Sequence, residues 1–264
     1  MVYTNMAQDV EVTLEKITPE VAQEWLNTYN TCNRNLRLSH VDKLVRDILN
    51  GSWKINGDAI RFSVSGELLD GQHRLTAIAK SGLAVETLVI RGISEASRQT
   101  IDSGIKRTSG DNLGLMGIKN CNRIAAACRY AILLKTRQFG ASFTNSEIID
   151  FYNKHSAISE HATRFEKSIA GSATMAVATS YILSLVKPDL VEPFYDTWVH
   201  GVGERNSPFL MLREKLIQNT GNKLNMRTNL KLQYFGVAIS KAVRNEKVLL
   251  LKAHTNFTIK GWTD

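Results

Sequence analysis

Hydrophobic periodicity changes once along this chain of 264 residues, near residue 118. Before that point, stretches of helical period alternate with stretches of period two; beyond it only the helical period remains. A 3.6-residue repeat buries one stripe of a helix and a two-residue repeat buries one face of a strand. The switch therefore restricts the chain to a mixed α/β part followed by an all-helical part, an α+β protein with domains expected at 1–118 and 119–264. With 43% hydrophobic residues, both parts have enough apolar surface for a core.

In the first part, Thr18 caps and Pro19 opens a helix whose face carries Val21, Trp25 and Leu26. Ser39 is read as the cap of a second helix, with Val41, Leu44, Val45, Ile48 and Leu49 in one stripe that Gly51 stops. Ile60, Phe62 and Val64 alternate before a Ser65-Gly66 turn and a return through Leu68 and Leu69, which predicts a hairpin. Helical period resumes from Gly71 with Leu75, Ile78 and Ala79 and ends near Gly82; residues 84–92 supply another strand. In the second part, helices are expected over 122–139, over 144–155 with Thr144 and Glu147 in capping-box spacing, and over 172–186, 208–221 and 229–247, the last with Gly236 as a soft spot.

Three cysteines in no regular pattern give no disulfide framework. On one helix Cys121 and Cys128 would lie about 10 Å apart, beyond the roughly 7 Å a disulfide tolerates. No apolar run reaches the roughly eighteen residues of a membrane span, and the first residues lack a signal-peptide pattern, so no membrane partner and a cytoplasmic location are expected. The net charge is +8, unevenly spread. Residues 1–30 hold five acids against Lys16, whereas 100–140 and 220–252 each hold seven bases, against Asp102 and Asp111 in one case and Glu246 in the other. Such clusters read either as solubilising charge or as a face for a polyanion.

The stretch LLDGQHRLTAIAKSG, residues 68–82, carries the chemistry. A strand end, a glycine and a helix start at Gln72 make a terminus whose backbone N–H groups and dipole favour an anion. Arg74 adds a planar fork of donors, and His73 a group that can give or take a proton. Asp70 is expected to cap the helix or to orient His73 or Arg74. The same residues also read as an ordinary capped amphipathic helix with polar residues in its first turn. Neither a Walker P-loop nor a His/Cys quartet for zinc is present, and His155 and His161 fall off-face on one expected helix.

Residues 33 to about 117 resemble the ParB/sulfiredoxin superfamily, in the branch marked by a DGQHR motif, here Asp70-Gly71-Gln72-His73-Arg74. Gly71 and Arg74 match the Gly-Glu-Arg-Arg element of ParB proteins and the Gly-Cys-His-Arg element of sulfiredoxins, and His73 matches the latter. Asn33 and Arg37 stand in register with the ParB Asn-x-x-x-Arg segment. Gln72 replaces the sulfiredoxin nucleophile, which rules out sulfinic-acid reduction by that route. Residues 101–111 replace the second ParB phosphate element with a different loop, and no ParB-type helix-turn-helix is evident in 119–250.

The resemblance implies a nucleoside triphosphate, ATP or CTP, with Mg²⁺ as a companion; Gly71, Gln72, Arg74, Thr76 and Arg91 are the expected phosphate-binding residues, and Lys106, Arg107 and Thr108 of the 101–111 loop join them as the residue types a phosphate loop uses. Chemistry is expected of His73, Asp70 and Arg74, and DNA contact of the basic residues Arg34, Arg37, Lys106 and Arg107, with no resident protein-bound metal. Many relatives of this branch belong to phages and mobile elements, which implies a role on or with DNA through hydrolysis, cleavage or modification. Two alternatives are a non-catalytic DNA-binding regulator and a kinase or transferase acting on a small molecule or modified base. The long helical stripes leave a homodimer open.

Overall fold

The structure, a computed structural model, describes residues 10–31, 33, 35–101, 107–165, 169, 171–221 and 226–262. The chain divides into two compact units, Met1–Lys106 and Arg107–Asp264. The division falls twelve residues before the expected position, because residues 109–115 form a helix that packs within the second unit. Together the units contain a small four-stranded mixed sheet and eleven α-helices among the described residues.

Unit 1 contains β1 (Glu11–Ile17), α1 (Pro19–Tyr29), α2 (Leu38–Leu49), β2 (Ala59–Ser63), β3 (Leu68–Asp70), α3 (Gln72–Ser81) and β4 (Val85–Ile93). The sheet order is β1-β4-β2-β3, with β4 and β2 parallel and the two outer pairs antiparallel. Thr18 caps α1 as expected, its hydroxyl accepting from the Val21 N–H. Ser39 is not a cap: it lies inside α2, which begins two residues earlier than expected, and Arg37 holds the N-cap position without a side-chain bond. The hairpin turns at Gly66, φ +85°, and its Ser65 N–H and hydroxyl both donate to Glu95, whose carboxyl is held down at about 2 by its own backbone N–H first and by Ser65 next. Ile60, Phe62, Leu75, Ile78, Val89, Val41 and Ile48 form the core between one sheet face and the helices.

β1 is not among the expected strands. Its residues alternate, but in reverse: Glu11, Thr13 and Glu15 share a face with Val89 and Arg91, while Val12 and Leu14 stand 58% and 55% exposed on the other.

Unit 2 is helical: α4 (Ser109–Leu115), α5 (Cys121–Thr136), α6 (Asn145–Lys154), α7 (Ile158–Ala162), α8 (Ala173–Val186), α9 (Val191–His200), α10 (Pro208–Gly221) and α11 (Thr228–Val243). The capping box at Thr144 and Glu147 is formed. α4 begins within the stretch 101–111 read as a loop and runs beyond it, and its two glycines permit close packing: a Cβ on Gly110 would stand 2.0 Å from Asn122 Oδ1. Trp198, Tyr181, Phe165, Phe194 and Phe235 fill the core, and the irregular segment after α11 adds Val248, Leu251, Phe257 and Ile259.

His155 and His161 do not share a helix. His155 follows α6, where its Nδ1 meets the Tyr181 hydroxyl at 2.7 Å, and His161 lies in α7, its Nδ1 2.8 Å from Ser180 Oγ. Burial, aided by the Arg164 charge, pushes the His161 imidazole below its ordinary value. Its unfolded form binds a proton near pH 6.5 and its folded form only at lower pH. The stability that His161 contributes is therefore fully present above about pH 6.5 and is lost as the pH falls through the folded value. Urea midpoints measured at pH 7.5 and 5.5 are expected to differ more in the wild type than in His161→Gln.

Candidate functional site

The DGQHR segment lies where the hairpin hands over to α3. Gly71 sits at the N-cap with φ +111°, and a Cβ there would come within 3.2 Å of the Ile60 Cα. Only glycine suits both the conformation and the contact. The first residues of the helix are buried rather than turned outward, Gln72 being 6% and His73 9% exposed.

Each polar side chain of the motif has a place within unit 1. Asp70 does not cap α3; its Oδ2 accepts from Arg61 Nη1 at 2.6 Å and from Arg74 Nη2 at 2.7 Å. It therefore orients Arg74, one of the two roles expected for it. Arg74 Nη2 also donates to the Ala59 carbonyl at 2.6 Å, and Nη1 lies 3.5 Å from Asp58, leaving the side chain 15% exposed and Nε buried without a partner. His73 Nε2 accepts the Arg37 N–H at 3.0 Å, which ties the start of α2 to the start of α3. That geometry places the ring proton on Nδ1, and an imidazolium could not accept the bond. Thr76 returns its hydroxyl to the Gln72 carbonyl at 2.7 Å. Asn33 Nδ2 donates to the Leu68 carbonyl and so fastens the segment before α2 to β3.

Other expected site residues are placed elsewhere. Arg91 makes a two-pronged pair with Glu15 and lies over the Trp25 and Phe62 rings at 5.6 and 5.7 Å. The hydrogen bonds of this pair hold the Glu15 carboxyl below its usual range against the opposing effect of burial. Arg107 and Thr108 belong to unit 2. Arg107 is exposed and its carbonyl accepts from Asn145, while Thr108 forms a capping box with Asp111 at the start of α4. The backbone and hydroxyl of Thr108 hold the Asp111 carboxyl below its ordinary value. Arg34 and Lys106 lie outside the described residues, as do Asp102 and Gly104.

Sequence reasoning missed Arg61 and Asp58, the further members of the Asp70 network. A signal was present: Ile60 and Phe62 face the core, so Arg61 must face away, and the hairpin register sets it opposite Asp70.

The structure makes the outcome of Arg74→Ala specific. An exposed arginine at a helix start would be replaced within about 0.5 kcal/mol. Here the substitution removes the donor to the carbonyl at the start of β2 and one partner of Asp70, and an expected loss of about 1–3 kcal/mol follows. Chemical denaturation checks this; a change below about 0.5 kcal/mol would show that the network contributes nothing.

The division of charge is sharper than the sequence windows suggested. Of the 33 lysines and arginines, 12 fall in unit 1 and 21 in unit 2; of the 25 acids, 13 fall in unit 1 and 12 in unit 2. Unit 1 thus has a net charge of −1 and unit 2 of +9. Among the described residues, no group of three or more His, Cys, Asp or Glu is arranged to hold a metal ion, and no helix is long and apolar enough to cross a membrane. Comparison with protein-family models, curated proteins and solved structures gives no match to this chain.

Proposed function

We propose that this protein acts with DNA: unit 2 supplies the polyanion-binding surface, and unit 1 is a ParB/sulfiredoxin-like module that takes a nucleotide phosphate at the Gly71 junction. The observation that carries the reading is the charge division, +9 on the helical unit against −1 on the mixed one. A phosphate polymer releases counterions on meeting clustered lysine and arginine, and a small unit with this excess has a strong electrostatic reason to bind one. The start of α3 at Gly71 supports the phosphate part, because the helix dipole and the first backbone N–H groups, which lack intrahelical acceptors, begin there.

The nucleotide part is tested by thermal shift of the full chain with ATP, CTP, GTP and their diphosphates, with and without Mg²⁺, in the wild type and in Arg74→Lys. A nucleotide at a hundred times its dissociation constant adds about 2.7 kcal/mol, several degrees in melting temperature. The expected result is stabilisation by one triphosphate that weakens in the variant. In that reading the nucleotide is a ligand whose phosphates meet Gly71, Gln72 and Arg74. The Asp70 carboxylate, already neutralised by two guanidiniums, holds Arg74 in place rather than holding Mg²⁺.

A second reading, a non-catalytic DNA-binding regulator, is favoured by the engagement of the motif itself. His73 Nε2 is occupied by the Arg37 N–H, and Arg74 serves the Ala59 carbonyl and Asp70. DNA binding with no stabilisation by any nucleotide selects this reading.

A further inference from the structure

A cavity in unit 1 lies at the turn end of the β2–β3 hairpin, whereas the DGQHR junction lies beside Ala59 and Ile60. It has a volume of about 320 Å³ and is walled by Trp25 and Tyr29 of α1, by Phe62 and Ser63 of β2, and by Arg91 of β4. Trp25 and Tyr29 each meet the Phe62 ring edge-on, with centroids 5.1 and 5.7 Å away. The Arg91 guanidinium lies over the Trp25 and Phe62 rings. We propose that this cavity binds a single planar heteroaromatic ring of the nucleobase class.

Three features select that ligand. The walls combine three aromatic rings with a guanidinium, the groups against which a flat ring packs, and such packing makes little distinction among ring types. Glu15 compensates the charge of Arg91 through a two-pronged bond, so the cavity offers no bare cation and favours a neutral ring over a phosphate or carboxylate. Neither the Trp25 indole N–H nor the Tyr29 hydroxyl bonds to a described residue, so each is available to a ring nitrogen or carbonyl oxygen. The volume is at the lower end of ligand pockets, room for a base with its sugar and little more. The same ring chemistry can arrive as a free nucleoside or as an unstacked base of a single strand.

The test is NMR of the full ¹⁵N-labelled chain, following the Trp25 indole N–H, identified with Trp25→Phe. The probes are adenosine, cytidine, a single-stranded tetranucleotide, its abasic counterpart, and N-acetylphenylalanine amide. Nucleosides carry no phosphate, so the outcome is separate from that of the phosphate reading at Gly71. A saturable shift with a nucleoside, weakened at least about fivefold by Tyr29→Ala or Arg91→Lys, supports the proposal and identifies a free ligand. A shift with the tetranucleotide but not with its abasic form or the nucleosides supports it with a strand as the source. No shift with any base-bearing probe overturns it, as does tighter binding of N-acetylphenylalanine amide, which would assign the cavity to a peptide side chain. Tyr29 is 37% exposed at the rim, so its replacement leaves the core of unit 1 in place should Arg91→Lys unfold it.

Discussion

Replacing Gly236 by alanine is expected to destabilise unit 2 by about 1–3 kcal/mol or more, among the largest effects of any single methyl in the chain. A Cβ at this position would stand 2.0 Å from the Phe257 ring, with two further ring carbons at 2.5 Å. Neither partner can yield easily. Phe257 is 4% exposed and its carbonyl accepts from Arg137, while the neighbouring Thr258 carbonyl accepts from Ser240 on α11. The residue that weakens α11 by helix propensity is thus the one that lets the C-terminal segment lie against it. The expected readout is a lower denaturation midpoint, together with faster proteolysis after α11. If Gly236→Ala were as stable as the wild type, Phe257 would not pack there.

Gly71→Ala is expected to cost a similar amount for two reasons that add. The backbone at φ +111° is a conformation that L side chains rarely adopt, and the new methyl would press on Ile60, whose Cα lies 3.2 Å away in the middle of the sheet. A loss of about 2–4 kcal/mol follows from strain and overpacking together. Unlike Gly236→Ala, this change also moves the start of α3 and with it His73 and Arg74. The Arg37 to His73 bond is expected to lengthen, and any nucleotide binding at the junction to be lost along with stability. Circular-dichroism melts check the first effect and thermal shift with nucleotide the second; an unchanged melting temperature would mean that the junction is not packed as described.

The fold was legible wherever local chemistry and burial agree. Thr18-Pro19 opens α1, Ser65-Gly66 turns the hairpin, and Gly71 and Gly82 bracket α3 with left-handed backbones. It was illegible where they conflict. β1 places its acids toward the helix-covered side and its valine and leucine toward the open one, because Arg91 compensates Glu15 there and a strand at the sheet edge is held by pairing as much as by burial. α4 was hidden by Gly110 and Gly114, which lower helix propensity but allow α5 to approach.

The motif was legible as a hairpin-to-helix junction, and Asp70 as the residue that orients Arg74. What no local pattern reveals is that His73 accepts a backbone N–H from a residue 36 positions earlier, or that the guanidinium of Arg74 donates to the carbonyl at the start of β2. Those bonds depend on how α2 and β2 are brought to α3, which is information of tertiary structure. The two histidines of unit 2 show the same limit. Six residues apart, they reach the adjacent residues Tyr181 and Ser180 only because the chain breaks between α6 and α7.

The claim at the centre of this account is that the positive charge of unit 2 serves a nucleic acid. Its most direct test is fluorescence anisotropy of a labelled duplex with the full chain, titrated at several salt concentrations from 50 to 200 mM. Binding is expected at low salt, with an affinity whose logarithm falls linearly with the logarithm of salt concentration, by about a thousandfold across that range if some six phosphates are neutralised. Absence of binding at 50 mM, or an affinity that salt leaves unchanged, would contradict it.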